Sequence, residues 1–351
     1  MKEERYLDER LLYISDYDSL SYKKGKLIYR KNDSGLIQKC EIGNNTNHIK
    51  LVERLMRKEP RCATRVDLSH FIVSFNGTII NYNCLNNTAT TEHNFDRGMK
   101  NPLTFLSIHN GVKECDVILY GEYIWNENKG PVAIYKREDN CWRKAYEFPK
   151  ETILHIHNII NDPYRNGLIV LSGDSDNESG IWFADYEFNT VKPIVIGNQQ
   201  YRACVAFPTE TGIIYATDTP LERNHIHFIK LSEECEMVTF ETEQEIPGPC
   251  IYGIEHDENY YFSTSVEPDS SLPSWRYRLT YRLGPGVADR YTHIIKRDKE
   301  GKYEEYYAVK KDILPMWLFQ FGNVQFPENE TKELYAVLQG TKKGHGITVR
   351  L

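Results

Sequence analysis

HIHNIINDPYRNGLIVLSGDSDNESGIWFADYEF, residues 155–188, is followed at 201–220 by YRACVAFPTETGIIYATDTP. The two stretches read as one unit written twice. With Pro163 over Pro208 and Gly167 over Gly212, His157 falls on Arg202 without a gap, and Asp174 and Asp218 agree to within one residue. Each copy opens its first strand with a polar residue, turns at Pro…Gly, and closes an apolar strand with an acid. A repeat that keeps polar residues at fixed places predicts an architecture and a site together.

Working outward, runs rich in Tyr, Ile, Val and Phe recur along all 351 residues, broken by Gly, Asn, Asp and Pro. The period is roughly 50 residues, which fits propeller blades better than helical solenoids. The predicted fold is all-β, a single β-propeller domain over 1–351. Seven four-stranded blades are expected, with six as the alternative. Blade one is assigned to SLSYKK, KLIYRK and GLIQKCEI, then the stretch 48–58. The last blade is one strand short, and the N-terminal ERLLYIS is expected to supply it and close the ring. Blade six carries an insertion at about 268–290. The stretch 48–58, HIKLVERLMRK, reads as one short helix or an outer strand with its loop.

The bulk numbers bound the function. A 40% hydrophobic and 26% charged composition suits a soluble globular chain. The net charge is −7, with no dense Lys/Arg cluster, so nucleic acid is not an expected partner. No window of about 20 apolar residues is present, so no membrane span is expected. The N-terminus lacks the apolar core of a secretory signal, which predicts a cytoplasmic protein. Cys40, Cys62, Cys84, Cys115, Cys141, Cys204, Cys235 and Cys250 sit singly, without CxxC or zinc spacing, and read as reduced, buried thiols.

Two later stretches carry a family resemblance: IYKREDNCWRKAYEF, with Tyr135, Asp139 and Trp142, and GIWFADYEFNTVKPI, with Trp182 and Asp185. They resemble the Asp-box (BNR) repeats of the sialidase-like propellers. The likeness covers roughly 100–230; elsewhere only the repeat period supports it. It implies a propeller whose Asp-box turns are structural and lie away from the active face. Sialidases place three arginines on a sugar carboxylate, with a Tyr/Glu nucleophile pair and an Asp acid/base. The early arginine in an Arg-Ile-Pro setting is missing here. Arg202 has Arg65, Arg276, Arg278 and Arg290 as candidate companions.

In a propeller, residues at the start of strand one and the end of strand two converge near the axis. That register nominates His109 with Glu122 and Tyr123, His155 and His157 with Asp174, and Arg202 with Asp218. It adds Tyr252 and His256 from blade six, with Ser263 and Glu267. Asp174 is expected to be the acid. His157, Asp218, Glu122 and His109 are expected as base, nucleophile or positioning groups. Arg202 is the expected carboxylate clamp, helped by His155, Tyr123, Tyr252, His256 and Arg276 around the sugar.

SWRYRLTYR, 274–282, interleaves Arg with aromatics and reads as a lid over the axis or as an exposed hairpin. His155–Ile156–His157 and His225–Ile226–His227 each put two rings on one face, a geometry that suits a metal. Without a third ligand fixed by the sequence, no metal or cofactor is expected. A weaker reading is a metal enzyme centred on His109, His157 and His256.

The expected function is therefore a sialidase-like carbohydrate-active protein, a glycoside hydrolase or lyase acting on an acidic oligo- or polysaccharide at the axis. The alternative is a non-catalytic glycan- or protein-binding propeller. The discriminator is geometric: Asp174, Asp218 and Glu122 must lie within about 10 Å of one another for two-carboxylate chemistry.

Overall fold

The structure is a computed structural model that describes residues 5–42, 50–96, 98, 99, 101–109 and 117–351. Cys115, Asn110, and His48 and Ile49 of the expected helix lie outside the described residues.

The strand Gly167–Gly173, GLIVLSG, shows why this chain forms blades: every residue in it is buried. Leu168 and Val170 pack with Ile134 and Phe148 of the preceding sheet. Ile169 and Leu171 pack with Ile213 and Tyr215 of the following one. Alternate residues thus face opposite neighbours, and a continuous apolar run is what a strand between two blades requires. Farther from the axis the burial fades, and the outermost strand Met237–Ile246 is exposed along almost its whole length.

Seven such sheets form the propeller, each with four antiparallel strands, and in blade one a two-residue strand, Glu328–Asn329, also pairs parallel with Arg10–Ile14. Blade four runs His155–Asp162, Gly167–Gly173, Gly180–Asp185 and Val191–Ile196; blade five runs Ala203–Thr209, Gly212–Thr217, Asn224–Leu231 and Met237–Ile246. Blade six is Cys250–His256, Asn259–Thr264, Tyr291–Arg297 and Tyr303–Lys310. Between its second and third strands lies the stretch 265–290, which includes the helix Ser274–Leu279. Blade seven combines Asn323–Gln325, Tyr335–Gln339 and Ile347–Arg350 with Arg5–Leu7 from the N-terminus.

The closing strand is displaced from its expected place. Arg5–Leu7 pairs with Thr348–Arg350, whereas Arg10–Ile14, the bulk of ERLLYIS, is the innermost strand of blade one. Blade one is therefore complete with Leu36–Glu41, and the stretch after it forms a helix, Lys50–Met56, instead of a strand. Among the described residues no helix is long and apolar enough to cross a membrane. The cysteines among the described residues are unpaired, and Cys141 is exposed where burial was expected.

The innermost strands share one irregularity. Their pairing with strand two shifts between Leu11 and Tyr13, Ile156 and Asn158, Ala203 and Val205, and Cys250 and Tyr252. In four blades, therefore, one residue bulges near the start of strand one: Leu12, His157, Cys204 or Ile251. A bulge re-aims its side chain and frequently borders a site.

Register also corrects the alignment of the two repeats. His155 pairs with Gly173, while the Asp218 amide bonds the Arg202 carbonyl at 2.9 Å. Arg202 is thus the counterpart of His155, and Cys204 that of His157. The hairpin turn runs from Asp162 to Gly167 in blade four but only from Thr209 to Gly212 in blade five, so an ungapped alignment slips by two residues.

Candidate functional site

The His157 bulge carries its ring against Gly173, where a Cβ would lie 2.4 Å from His157 Cε1. Glycine is needed there for close approach. His157 Nδ1 meets the Ala203 carbonyl of blade five at 2.8 Å, and His155 Nδ1 meets the Ile124 carbonyl of blade three at 3.1 Å. The two Nε2 atoms are 2.9 Å apart. The Tyr123 ring packs edge-on against His155, with centroids 4.7 Å apart.

Asp174 follows Gly173 directly. Its Oδ1 lies 3.2 Å from His157 Nε2, 3.5 Å from His155 Nε2 and 2.9 Å from the Arg202 guanidinium. Arg202 also donates to the Asp174 carbonyl at 3.2 Å, and Gln199 donates to the same carbonyl at 2.9 Å. The nitrogen of Arg202 that meets Asp174 lies 3.5 Å from Asp218 Oδ2, which also receives the Cys204 thiol at 3.3 Å. Sharing one nitrogen puts Asp174 and Asp218 well inside the ~10 Å that two-carboxylate chemistry allows.

Burial favours protonation of Asp174, but Arg202 and then His155 and His157 outweigh it and hold the carboxyl well below the usual range. This reverses the expectation that Asp174 is the acid: a carboxylate so strongly paired has no proton to give. Asp218 moves the other way, raised by burial against the pull of Arg202. Glu267 follows the second strand of blade six and accepts the Ser265 hydroxyl at 2.6 Å. Burial and then the neighbouring Asp218 push it up to about 8. The ends of three adjacent second strands thus bring around Arg202 one carboxylate held ionised, Asp174, and two carboxyls that burial shifts upward, Asp218 and Glu267. Arg202 Nε and Asp218 Oδ1 are buried without a partner among the described residues.

Beside this cluster a cavity of about 380 Å³ opens along the axis, lined by Arg57, Arg61, Tyr123, Trp125, Asp218 and Tyr252 among others. The Tyr252 hydroxyl accepts from Arg61 at 3.1 Å and from Gln325 at 2.9 Å. Arg61 lies over the Tyr123 ring, 5.3 Å from its centroid, and has no carboxylate partner among the described residues.

Four expected site residues fall elsewhere. His109 is exposed beyond the end of Leu106–Ile108, the opposite end of that strand from Glu122. His256 ends its strand at the hairpin turn opposite Asn259, facing the Lys332 carbonyl at 3.2 Å. A metal centre of His109, His157 and His256 is therefore ruled out by placement. Both residues were misplaced because strand one runs away from the site and each was assigned to its wrong end. Glu122 is buried, but its Oε2 accepts the Ala133 amide at 2.7 Å, so it secures its own blade. Arg276 is exposed on the short helix Ser274–Leu279, over Trp275 at 5.3 Å.

That helix also corrects the expected hairpin. Its neighbour Tyr277 is half-buried, and burial and the charge of Glu267 push its hydroxyl up to about 12. Tyr277 thus feels the charges of Glu267, Arg202 and Asp174 from the insertion. His225 and His227 are structural: His227 meets Gln200 and Thr242, each at 3.1 Å.

Arg61, Tyr277 and Cys204 were not foreseen, and Glu267 was nominated without a role. Cys204 stands where His157 does, a signal visible once the turn's two-residue gap is allowed. Arg61 precedes a three-residue strand, Ala63–Arg65, too short to announce itself.

The chain's likeness to known proteins is one of fold. No family model and no curated protein matches the sequence. Among solved structures, an oligogalacturonate lyase from Vibrio parahaemolyticus matches with a TM-score of 0.58 and 9% identity, covering 98% of this chain and 91% of that one. A chain in a mitotic checkpoint complex matches with a TM-score of 0.55 and 11% identity, covering 99% and 92%.

Proposed function

We propose that this chain is a carbohydrate-acting propeller that hydrolyses an acidic oligosaccharide in its axial funnel. The observation that carries this reading is the sharing of Arg202 by Asp174 and Asp218, with Glu267 alongside, next to a cavity whose Arg61 has no carboxylate partner among the described residues. Glu267 forms the proton-donating end, its proton favoured by burial and by the neighbouring Asp218 carboxylate. The Nε2 atoms of His155 and His157 with Asp174 Oδ1 form the accepting end. A glycosidic bond laid between the two ends meets both a donor for its leaving oxygen and an acceptor for the attacking water's proton.

Arg61 would take the sugar carboxylate, because a guanidinium offers it two parallel N–H groups. Tyr123 and Tyr252 would give the ring an aromatic wall. The turn at Asp185 supports the sialidase-like grouping: it is an Asp-box-like turn between outer strands, where Asp185 gathers the amides of Glu187, Asn189 and Thr190 at 2.9, 3.2 and 2.5 Å.

Elimination is the second reading, favoured by the oligogalacturonate lyase among the structural neighbours. The accepting end would then take the proton beside a uronate carboxylate. A screen of acidic and neutral oligosaccharides, read by mass spectrometry, tests both. Hydrolysis adds the mass of water to the products, whereas elimination leaves one unsaturated product and adds none. Acidic substrates are expected to be cleaved, and Glu267→Gln is expected to lower kcat about 10²–10⁴-fold. Measurable binding with no product from any saccharide would instead make the chain a binding propeller.

A further inference from the structure

A backbone carbonyl only accepts hydrogen bonds. His155 Nδ1, 3.1 Å from the Ile124 oxygen, and His157 Nδ1, 2.8 Å from the Ala203 oxygen, must therefore both carry the ring proton. In the neutral rings each Nε2 is then a bare lone pair. These lone pairs face each other at 2.9 Å. Asp174 Oδ1, also an acceptor, closes the triangle at 3.2 Å from His157 Nε2 and 3.5 Å from His155 Nε2. Three acceptors converge with no donor between them, and a positive centre is what such a triangle lacks.

We infer that His155 Nε2, His157 Nε2 and Asp174 Oδ1 bind a divalent first-row transition metal ion. The dimensions suit one: a point about 2.0–2.1 Å from all three atoms, the usual zinc distance to nitrogen and oxygen ligands, lies just off the plane of this triangle. Two imidazoles and a carboxylate are donors of intermediate softness, suited to zinc or its neighbours rather than to calcium or magnesium.

The surroundings have the form of a metal site's outer shell. Metal-bound histidines characteristically donate their other N–H to a carbonyl or carboxylate, and ligating carboxylates are themselves hydrogen-bonded. Both histidines do the first here. Asp174 does the second, because Arg202 reaches its Oδ1 at 2.9 Å and a carboxylate oxygen has a further lone pair to offer. The histidine side chains are buried, while the Asp174 side chain keeps 36% of its surface exposed, which leaves an entry path.

The chain contains its own control. His225–Ile226–His227 has the same spacing, but His227's nitrogens are satisfied by Gln200 and Thr242. Spacing alone does not make the site; the third ligand and the carbonyl-locked tautomers do.

The inference goes beyond the saccharide reading and does not depend on it: with an ion held there, a water on the ion would supply the base in place of the bare Nε2 atoms, and the test uses no sugar. Wild-type protein is stripped with chelator, dialysed against zinc, and its metal content measured. Affinity for zinc and the visible spectrum with cobalt follow. The expected result is about one zinc per chain, with intense cobalt bands of a low-coordinate nitrogen and oxygen site. His155→Ala and His157→Ala are expected to weaken zinc binding at least ~100-fold, since loss of outer-shell partners alone costs 10–100-fold. His225→Ala is expected to leave it unchanged.

The competing occupant of the triangle is a proton shared by the two rings. Wild type that takes up only traces of zinc and cobalt overturns the proposal in favour of that proton. So does zinc binding that survives His157→Ala intact. If the His→Ala variants do not fold, the wild-type stoichiometry and cobalt spectrum still decide the matter.

Discussion

Glu267 is 7% exposed, accepts from Ser265, and is pushed up to about 8 by burial and by Asp218. An unfolded glutamate titrates near 4.3. Between those values the folded chain holds the extra proton, so this site loses stability as pH rises and the loss levels off above about 8. Glu267→Gln removes that dependence. Its melting temperature is expected to match wild type near pH 5 and to exceed it by a few degrees at pH 8.5, as differential scanning calorimetry would read. If Glu267 donates the catalytic proton, kcat falls as pH rises through about 8. Arg61→Ala is expected to raise KM for acidic saccharides about 10–100-fold and to leave neutral ones nearly unaffected; an equal effect on both would deny Arg61 a role in reading charge. At this scale the sequence exposed Asp174, Asp218, Arg202 and the His-x-His pair, because a repeat fixes where its strands begin and end. It hid charge states. The Asp174 and Asp218 carboxyls shift in opposite directions because Arg202, His155 and His157 together outweigh burial at Asp174, whereas burial prevails over Arg202 at Asp218.

The innermost strands carry the next level of the account. A bulge places His157 where its ring presses on Gly173, and a methyl there would lie 2.4 Å from the ring. Gly173→Ala is therefore expected to destabilise the chain by about 1–3 kcal/mol and to displace His157 from Asp174. Loss of activity and of zinc uptake together, measured on folded protein, would confirm that displacement. A variant indistinguishable from wild type would mean that the ring has room to move. Bulges leave no signature in one sequence, but blades four and five share this one, so it is not what set His157 opposite Arg202. The two-residue difference in turn length between blades four and five made that alignment look gapless. The helix Lys50–Met56 decides between the two readings that the spacing of Leu51, Val52, Leu55 and Met56 leaves open, a short helix or an outer strand.

The ring as a whole closes through three residues, Arg5–Leu7, against Thr348–Arg350. Removing residues 1–8 exposes the Ile347–Arg350 edge of blade seven. The expected outcome is a melting temperature lower by on the order of 5 °C, with larger species in size-exclusion chromatography. An unchanged monomer would show that closure by this strand is dispensable. Seven blades and antiparallel sheets were legible in the sequence, since repeat period and strand patterning survive without homology. Closure by an N-terminal strand was legible too, but not its residues, because Arg10–Ile14 is the stronger strand by composition and drew the assignment away from Arg5–Leu7. Closure matters to the site because blades four, five and six must present their acids to one arginine, so the charge state of Glu267 reports on the whole arrangement. Carbon-13 NMR of the protein labelled at glutamate side-chain carboxyls, titrated from pH 4 to 10, measures it directly. The account predicts one signal titrating near 8 that disappears in Glu267→Gln, distinct from that of Glu328, which burial pushes up to about 7. A Glu267 signal that titrates in the ordinary range near 4.3 would contradict the proton-holding end of the site, and with it the proposed chemistry.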